Sequence, residues 1–296
     1  MRVVTNPGSN LGAELVARYG IDLTPQKIVV DKREHDTRSY IDLSTVDEWV
    51  RGAKEHPYVL GTSAAEFAKA FKQIAADDRE VVAVMTSRKL IQSYDAACSA
   101  ARTLAELQGP DTLDVRVIDT GVTDGGAGLV TIYAALARDA GLSLDEIDKA
   151  TRAFAAGMQL RLWLATLDNL IKGGRASFLR GFLANLLRVR PVLHFVDGEL
   201  QVAHKISSRS DPVDHLTSAL AETHAGRRVW MAISHGGDEA QARRLAEQLA
   251  TRMTVDYLTI QPFSASIYLH VGPGALGAFT APVDDLPWAP PPPPPG

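Results

Sequence analysis

Short apolar runs and longer stretches of helical period alternate along the first half of the chain. Runs rich in Val and Ile at residues 2–4, 27–30, 80–85 and 113–118 predict strands. The segments 64–75, 93–107 and 126–140 repeat their apolar positions at helical spacing. A further helix is predicted to start at Leu144, with Ser143 as N-cap and Glu146 closing a capping box. This alternation predicts a mainly parallel sheet flanked by helices. The second half is denser in strands, predicted at 160–165, 191–196, 200–205, 229–234, 255–260 and 266–271, with helices at 212–223 and 239–251. Asp197-Gly198 is a hairpin turn signal. The expected fold class is therefore α/β in two domains: residues 1–157 with a mainly parallel sheet, and residues 158–282 as α+β with a mixed or antiparallel sheet. Residues 283–296, ending in polyproline, read as an extended, disordered tail without a packing face.

Composition narrows the function classes. The 296 residues are 46% hydrophobic and 22% charged, ordinary for a soluble globular protein. A net charge of −4 leaves no basic excess for nucleic acid. The single cysteine, Cys98, forms no internal disulfide and suits a reducing compartment. Its neighbours are small, and it reads as an inert packed thiol. The opening segment breaks at Asn6-Pro7, too early for a signal peptide core, and the apolar stretch 127–137 is too short to span a bilayer. A cytoplasmic location with at most transient membrane contact is the expectation.

Several motifs fail their structural requirements. Gly272-Pro273-Gly274-Ala275-Leu276-Gly277 has dinucleotide-loop spacing, but the chain ends before the acidic residue such a site needs. No Walker sequence and no nucleophile elbow occur, and the eight histidines lack metal-ligand spacing. No cofactor or metal is expected. Hydroxyls at strand ends are more informative. Thr62-Ser63, Thr86-Ser87 and Asp119-Thr120 each follow an apolar strand, and ligands of open parallel sheets bind beyond the carboxyl ends of strands. Together with free helix N–H groups they would suit a carboxylate or phosphate. Ser63 with Glu66 equally fits a simple capping box. Arg175, after two glycines, offers a fork of donors for an oxyanion, and His270 precedes another glycine-rich turn. Each also has an ordinary structural reading, as a solvated cap or a satisfied histidine.

In order along the chain, Val4-Thr5, Thr62-Ser63, Ser87, Ser93-Tyr94, Ile118-Asp119-Thr120 and Gly125-Gly126-Ala127-Gly128 match a known pattern. So do Leu167-Asp168-Asn169-Leu170-Ile171-Lys172-Gly173-Gly174-Arg175, Arg190-Pro191-Val192-Leu193, Lys205 and His270-Val271-Gly272-Pro273-Gly274. With these features the chain resembles the DegV family of fatty-acid-binding proteins over nearly its whole length. The resemblance implies a lipid tunnel between two domains and no catalysis by the protein alone. It also implies a long-chain fatty acid whose carboxylate meets Thr62, Ser63, the turn carrying Ser87 and Ser93, Arg175 and His270. In some bacteria such proteins present the acid to a separate fatty acid kinase, which supplies ATP and magnesium. Lys205 and Arg209 are candidates to face a partner, or simply solvent.

Two departures bear on the head group. The family opens V-T-D-S-T, where this chain has Val4-Thr5-Asn6-Pro7-Gly8, and its S-G-T-Y turn aligns with Ile91-Gln92-Ser93-Tyr94. Loss of one donor costs about 1 kcal/mol. Burying ~15 methylenes at ~0.8 kcal/mol each contributes about 12 kcal/mol gross. Lipid binding is therefore expected to survive, while phosphoryl transfer to the bound acid is more sensitive. The rival readings are an enzyme acting on a small substrate at the same rim and a regulatory binding protein diverged from lipid handling.

Overall fold

The computed structural model describes residues 1–108, 113–176, 189–291 and 293. A parallel four-stranded sheet runs in the order β2 (Ile21–Leu23), β1 (Arg2–Thr5), β6 (Glu80–Met85), β7 (Asp114–Asp119). Side chains alternate across it, as the strand period requires. Val4, Val81, Ala83, Met85 and Val117 pack on α3 (Ala64–Ile74) and α4 (Ser93–Gln108) through Phe67, Phe71 and Leu104. Val3, Val82, Val84 and Ile118 face the other way, toward α5 (Asp124–Asp139) and α6 (Leu144–Ala156). The predicted Ser143–Glu146 capping box starts α6.

The second sheet has six strands in the order β10 (Glu199–Ser207), β9 (Val189–Val196), β8 (Gln159–Trp163), β13 (Leu276–Pro282), β11 (Arg228–His235), β12 (Thr254–Pro262). All its pairs are antiparallel except β11–β12. One face receives α8 (Pro212–His224) and α9 (Glu239–Ala250), with Val213, Leu216, Leu220 and Leu245 in a core of their own. The other face shares the α5/α6 core through Leu160, Leu162, Trp230 and Phe279. The layers are thus helix, sheet, helix, sheet, helix, with one hydrophobic cluster continuous across residue 157.

The central layer explains Gly125-Gly126-Ala127-Gly128. Twelve consecutive residues from Asp124 to Ala135 are buried. A Cβ on Gly125 would lie 2.8 Å from Ala232 Cβ, on Gly126 2.5 Å from Phe279 Cδ1, and on Gly128 2.6 Å from the Ser9 carbonyl. Glycine here is a matter of close approach between layers. Asp124 at the helix start is fully buried and accepts from Ser234 Oγ (2.5 Å), Ser264 N (3.0 Å), Ser264 Oγ (2.9 Å), Asn10 Nδ2 (2.9 Å) and Gly125 N (3.0 Å). It fastens the N-terminal loop to β11 and to the segment before α10 (Ala265–Val271).

Several expectations are corrected. Residues 266–271, predicted as a strand, form α10; a short apolar run does not distinguish a strand from a buried helical turn. The last strand is β13, inside what looked like a glycine-rich loop and its sequel. The Gly272–Gly277 pattern therefore joins a helix to a strand, the reverse of a dinucleotide loop. Thr62-Ser63 follow no strand of the parallel sheet. They follow β5 (Tyr58–Leu60), which belongs with β3 (Lys27–Val30) and β4 (Arg33–Asp36) to a small antiparallel sheet. Helices α1 (Ala13–Arg18), α2 (Leu43–Gly52) and α7 (Asp168–Lys172) were not predicted. The segment after 282 is not a tail from its first residue. Arg227 pairs with Asp284 (3.0 Å), Tyr133 Oη donates to the Trp288 carbonyl (2.7 Å), and the two rings meet edge-on at 5.3 Å. The polyproline run lies partly outside the described residues. The Asp197-Gly198 turn is present, with φ of 50° and 79°.

Candidate functional site

A cavity of about 420 Å³ opens between the N-terminal loops and the inner face of the second sheet. Its apolar wall comes from Leu160 and Leu162 of β8, Phe195, Leu200, Phe263 and Phe279. Ser266, Ile267, His270 and Val271 of α10 line one side, at the i, i+1, i+4, i+5 spacing of one helix face. Arg175 and Leu170 close another. A second, more open cavity of about 850 Å³ adjoins it, lined by Thr62, Ser63, Arg88 and Gln92 among others. Val59, Lys89, Leu90, Ile91 and Arg175 line both, so Arg175 stands at their junction.

The Lys172-Gly173-Gly174-Arg175 segment builds that junction. Gly174 has φ 68°, its N–H donates to the Ile171 carbonyl (3.1 Å), and Arg175 N–H donates to the Leu170 carbonyl (2.9 Å). This is the glycine-terminated helix ending that reverses the chain, and it carries Arg175 back over the cavity. Gly173 has a different reason. A Cβ there would lie 2.9 Å from His270 Nδ1 and 3.2 Å from His56 Nε2. Among the described residues the Arg175 guanidinium, which is solvent-exposed, has no hydrogen-bond or ion-pair partner.

His270 is half-buried, and its Nδ1, shut from solvent, has no hydrogen-bond partner among the described residues. Burial first, then the charge of Arg175 and then His56, push its pKa down to about 4. At neutral pH it is an uncharged imidazole. His56, with ring centroid 6.3 Å away, likewise has an unpartnered buried Nε2, and burial lowers its pKa. Ser93 Oγ is a third buried orphan, beside Gly61. Buried polar groups are ordinarily satisfied, so the orphan Nδ1 of His270, which lines the cavity, suits a ligand's polar group; His56 and Ser93 line neither cavity themselves.

The other predicted residues are placed differently. Thr62 Oγ1 donates to the Pro25 carbonyl and shares a 2.9 Å hydrogen bond with Thr24 Oγ1, so its proton is committed. Ser63 is exposed and forms the capping box with Glu66: its Oγ accepts from Glu66 N at 3.3 Å. Ser87 Oγ donates to the Gly198 carbonyl (2.7 Å), pinning the β9–β10 hairpin to the N-terminal half, and lines neither cavity. Thus the structure brings Arg175 and His270 together at the first cavity, and Arg175, Thr62 and Ser63 at the second. Ser93 lies behind Gly61, and Ser87 is turned to a structural contact. Nothing in Glu55-His56-Pro57 marks His56 as a site residue; only the fold sets it opposite His270.

A polar relay inside the first cavity was also missed. Thr86 N donates to Asn6 Oδ1 (3.1 Å), Asn6 Nδ2 donates to Thr86 Oγ1 (3.1 Å) and Gln26 Oε1 (3.0 Å), and Gln26 Nε2 donates to Ser266 Oγ (2.9 Å). All four side chains are buried and line the cavity. No group of three His, Cys, Asp or Glu suited to a metal occurs among the described residues, and no helix there is long and apolar enough to cross a membrane.

The chain as a whole is similar to known proteins. A DegV domain-containing protein of Streptomyces coelicolor is 28% identical over 282 residues, covering 94% of this chain and 97% of its own. A fatty acid-binding protein of Thermotoga maritima is 26% identical over 283 residues, covering 94% and 96%. The solved structure of a fatty-acid-binding DegV family protein from Thermus thermophilus superposes with a TM-score of 0.85 at 26% identity, covering 95% of this chain and 99% of that one. The model of the family described as "Uncharacterised protein, DegV family" matches residues 1–283, and the chain belongs to that family.

Proposed function

We propose that this chain is a fatty acid carrier that holds a long acyl tail in the apolar cavity, with the carboxylate at Arg175 and His270. The observation that carries the reading is the pairing of an oily slot with unpartnered donors at one end of it. An arginine fork and a neutral imidazole suit a carboxylate; burial of the tail supplies most of the free energy. The fatty acids named for the relatives above support the same ligand class. Ser93 is retained as a further donor, whereas Thr62 would have to release Pro25 to serve as one. Ser63 and Ser87 are not proposed as ligands.

The chain is proposed to act in the cytoplasm and to perform no reaction alone. A fatty acid kinase belongs to the proposal as the protein that would receive the carboxylate. Its support is the position of Arg175, exposed and bordering the open second cavity. Extraction of the purified protein followed by mass spectrometry is expected to recover long-chain fatty acid. After delipidation, Arg175→Ala is expected to weaken uptake about 10- to 100-fold, the range for a charged hydrogen bond. No lipid and no saturable uptake would sink the reading.

A further inference from the structure

The relay behind the α10 wall has a direction. The backbone N–H of Thr86 can only donate, so the Asn6 atom that it meets must be the carbonyl oxygen. That sets the Asn6 amide, whose NH₂ then serves Thr86 Oγ1 and Gln26 Oε1. Gln26 is set in turn, and its NH₂ serves Ser266 Oγ. Both ends of the relay are hydroxyls that accept, and neither has an acceptor for its own proton among the described residues. Thr86 and Ser266 both line the cavity and are almost wholly buried. The relay thus leaves two O–H donors beside the cavity in a low-dielectric setting, where an unmatched donor is costly.

Their location bears on what they meet. Ser266 and His270 are four residues apart on α10, about 6 Å along the helix axis at 1.5 Å per residue. An oxygen that met Ser266 would sit within a few carbons of a carboxylate at His270. We propose that Thr86, Asn6, Gln26 and Ser266 form a second polar subsite of the cavity, which takes an acyl chain bearing a hydroxyl or oxo oxygen close to its carboxyl end. The inference rests on the fatty acid reading and specifies the ligand within it. A purely hydrocarbon chain satisfies neither donor; an oxygenated chain supplies the acceptor and loses little by desolvation. Asn6 is essential to the polarity, since an aspartate has no N–H for Gln26.

Competition of palmitate, β-hydroxypalmitate and ω-hydroxypalmitate against a fluorescent fatty acid on the delipidated full chain tests this. The β-hydroxy acid is expected to bind about 2- to 10-fold more tightly than palmitate, the equivalent of one hydrogen bond. The ω-hydroxy acid, oxygenated at the far end, should gain nothing. Equal or weaker binding of the β-hydroxy acid overturns the subsite, whereas failure of all three to compete overturns the carrier reading instead. In Ser266→Ala the ratio of β-hydroxypalmitate to palmitate affinity should fall to about one, whatever the absolute affinities. Thr86→Val provides the same readout at the other end of the relay, and an undiminished ratio in both variants also refutes the proposal.

Discussion

Gly173 and His270 approach so closely that a single methyl group on the glycine would lie 2.9 Å from the imidazole Nδ1. The backbone of Gly173 is ordinary, at φ −75°, so only the contact demands glycine. Gly173→Ala should displace the His270 ring, destabilise the protein by about 1–3 kcal/mol and weaken fatty acid uptake. Gly174→Ala provides the contrast. No atom of the described residues lies within 4 Å of its Cβ, but φ 68° strains an L-residue by roughly 1–2 kcal/mol, so it should cost stability through the backbone alone. Denaturant midpoints and uptake measured on both variants separate the two effects; equal loss of uptake in both would refute the contact.

The pH dependence follows from the same imidazole. The folded pKa of His270 lies at about 4, below its ordinary value of 6.5, so the unfolded chain binds the proton more readily. Stability from this group is complete above about pH 6.5 and is lost as pH falls toward 4, a change of a few kcal/mol at most. His270→Gln should flatten the stability profile across that window. A carboxylate placed beside His270 favours its charged form. Fatty acid binding should therefore take up protons between about pH 4 and 6.5, measurable by calorimetry in two buffers.

Asp124 binds the layers together with five hydrogen bonds and no cation among the described residues. Burial raises its pKa, and the donors oppose that shift. Asp124→Ala leaves several buried donors unmatched and should destabilise by about 3 kcal/mol or more, whereas Ser234→Ala removes one bond and should cost about 1–2 kcal/mol. Thermal unfolding of the two variants gives the comparison, and a mild Asp124→Ala would mean that water replaces the carboxylate.

Gly126 tests the packing of the central helix. Its added Cβ would lie 2.5 Å from Phe279 Cδ1 in β13, on a ring that is itself fully buried. Gly126→Ala gains helix propensity but overpacks the interface, and a net loss of about 1–3 kcal/mol is expected in chemical denaturation.

Much of the architecture is local and hence readable along the chain. Short apolar runs such as residues 80–85, capping residues such as Ser143 with Glu146, and turn residues such as Asp197-Gly198 act over a few positions, and each forms the expected element. Where one apolar run suits two structures, neighbours decide. Residues 266–271 form a helix, β2 and β4 are too short or too polar to announce themselves, and the apolar residues of β5 do not reveal that it joins a separate antiparallel sheet.

The candidate site divides along the same line. Arg175 was legible because the glycine that reverses α7 precedes it directly, and the ending depends on backbone geometry within six residues. Ser63 was legible too, but as the cap that its spacing to Glu66 already allowed. His56, Gln26, Asn6 and Ser266 acquire meaning only from partners up to 240 residues away, as in the Gln26–Ser266 bond. Hydrogen bonds at such separations leave no periodicity in a sequence, because they are decided by how layers stack and not by the residues beside them. The chain by itself determines its longer apolar strands, caps and reversing glycines, because these act locally; the stacking of two sheets around α5 and α6 decides which polar groups face one cavity.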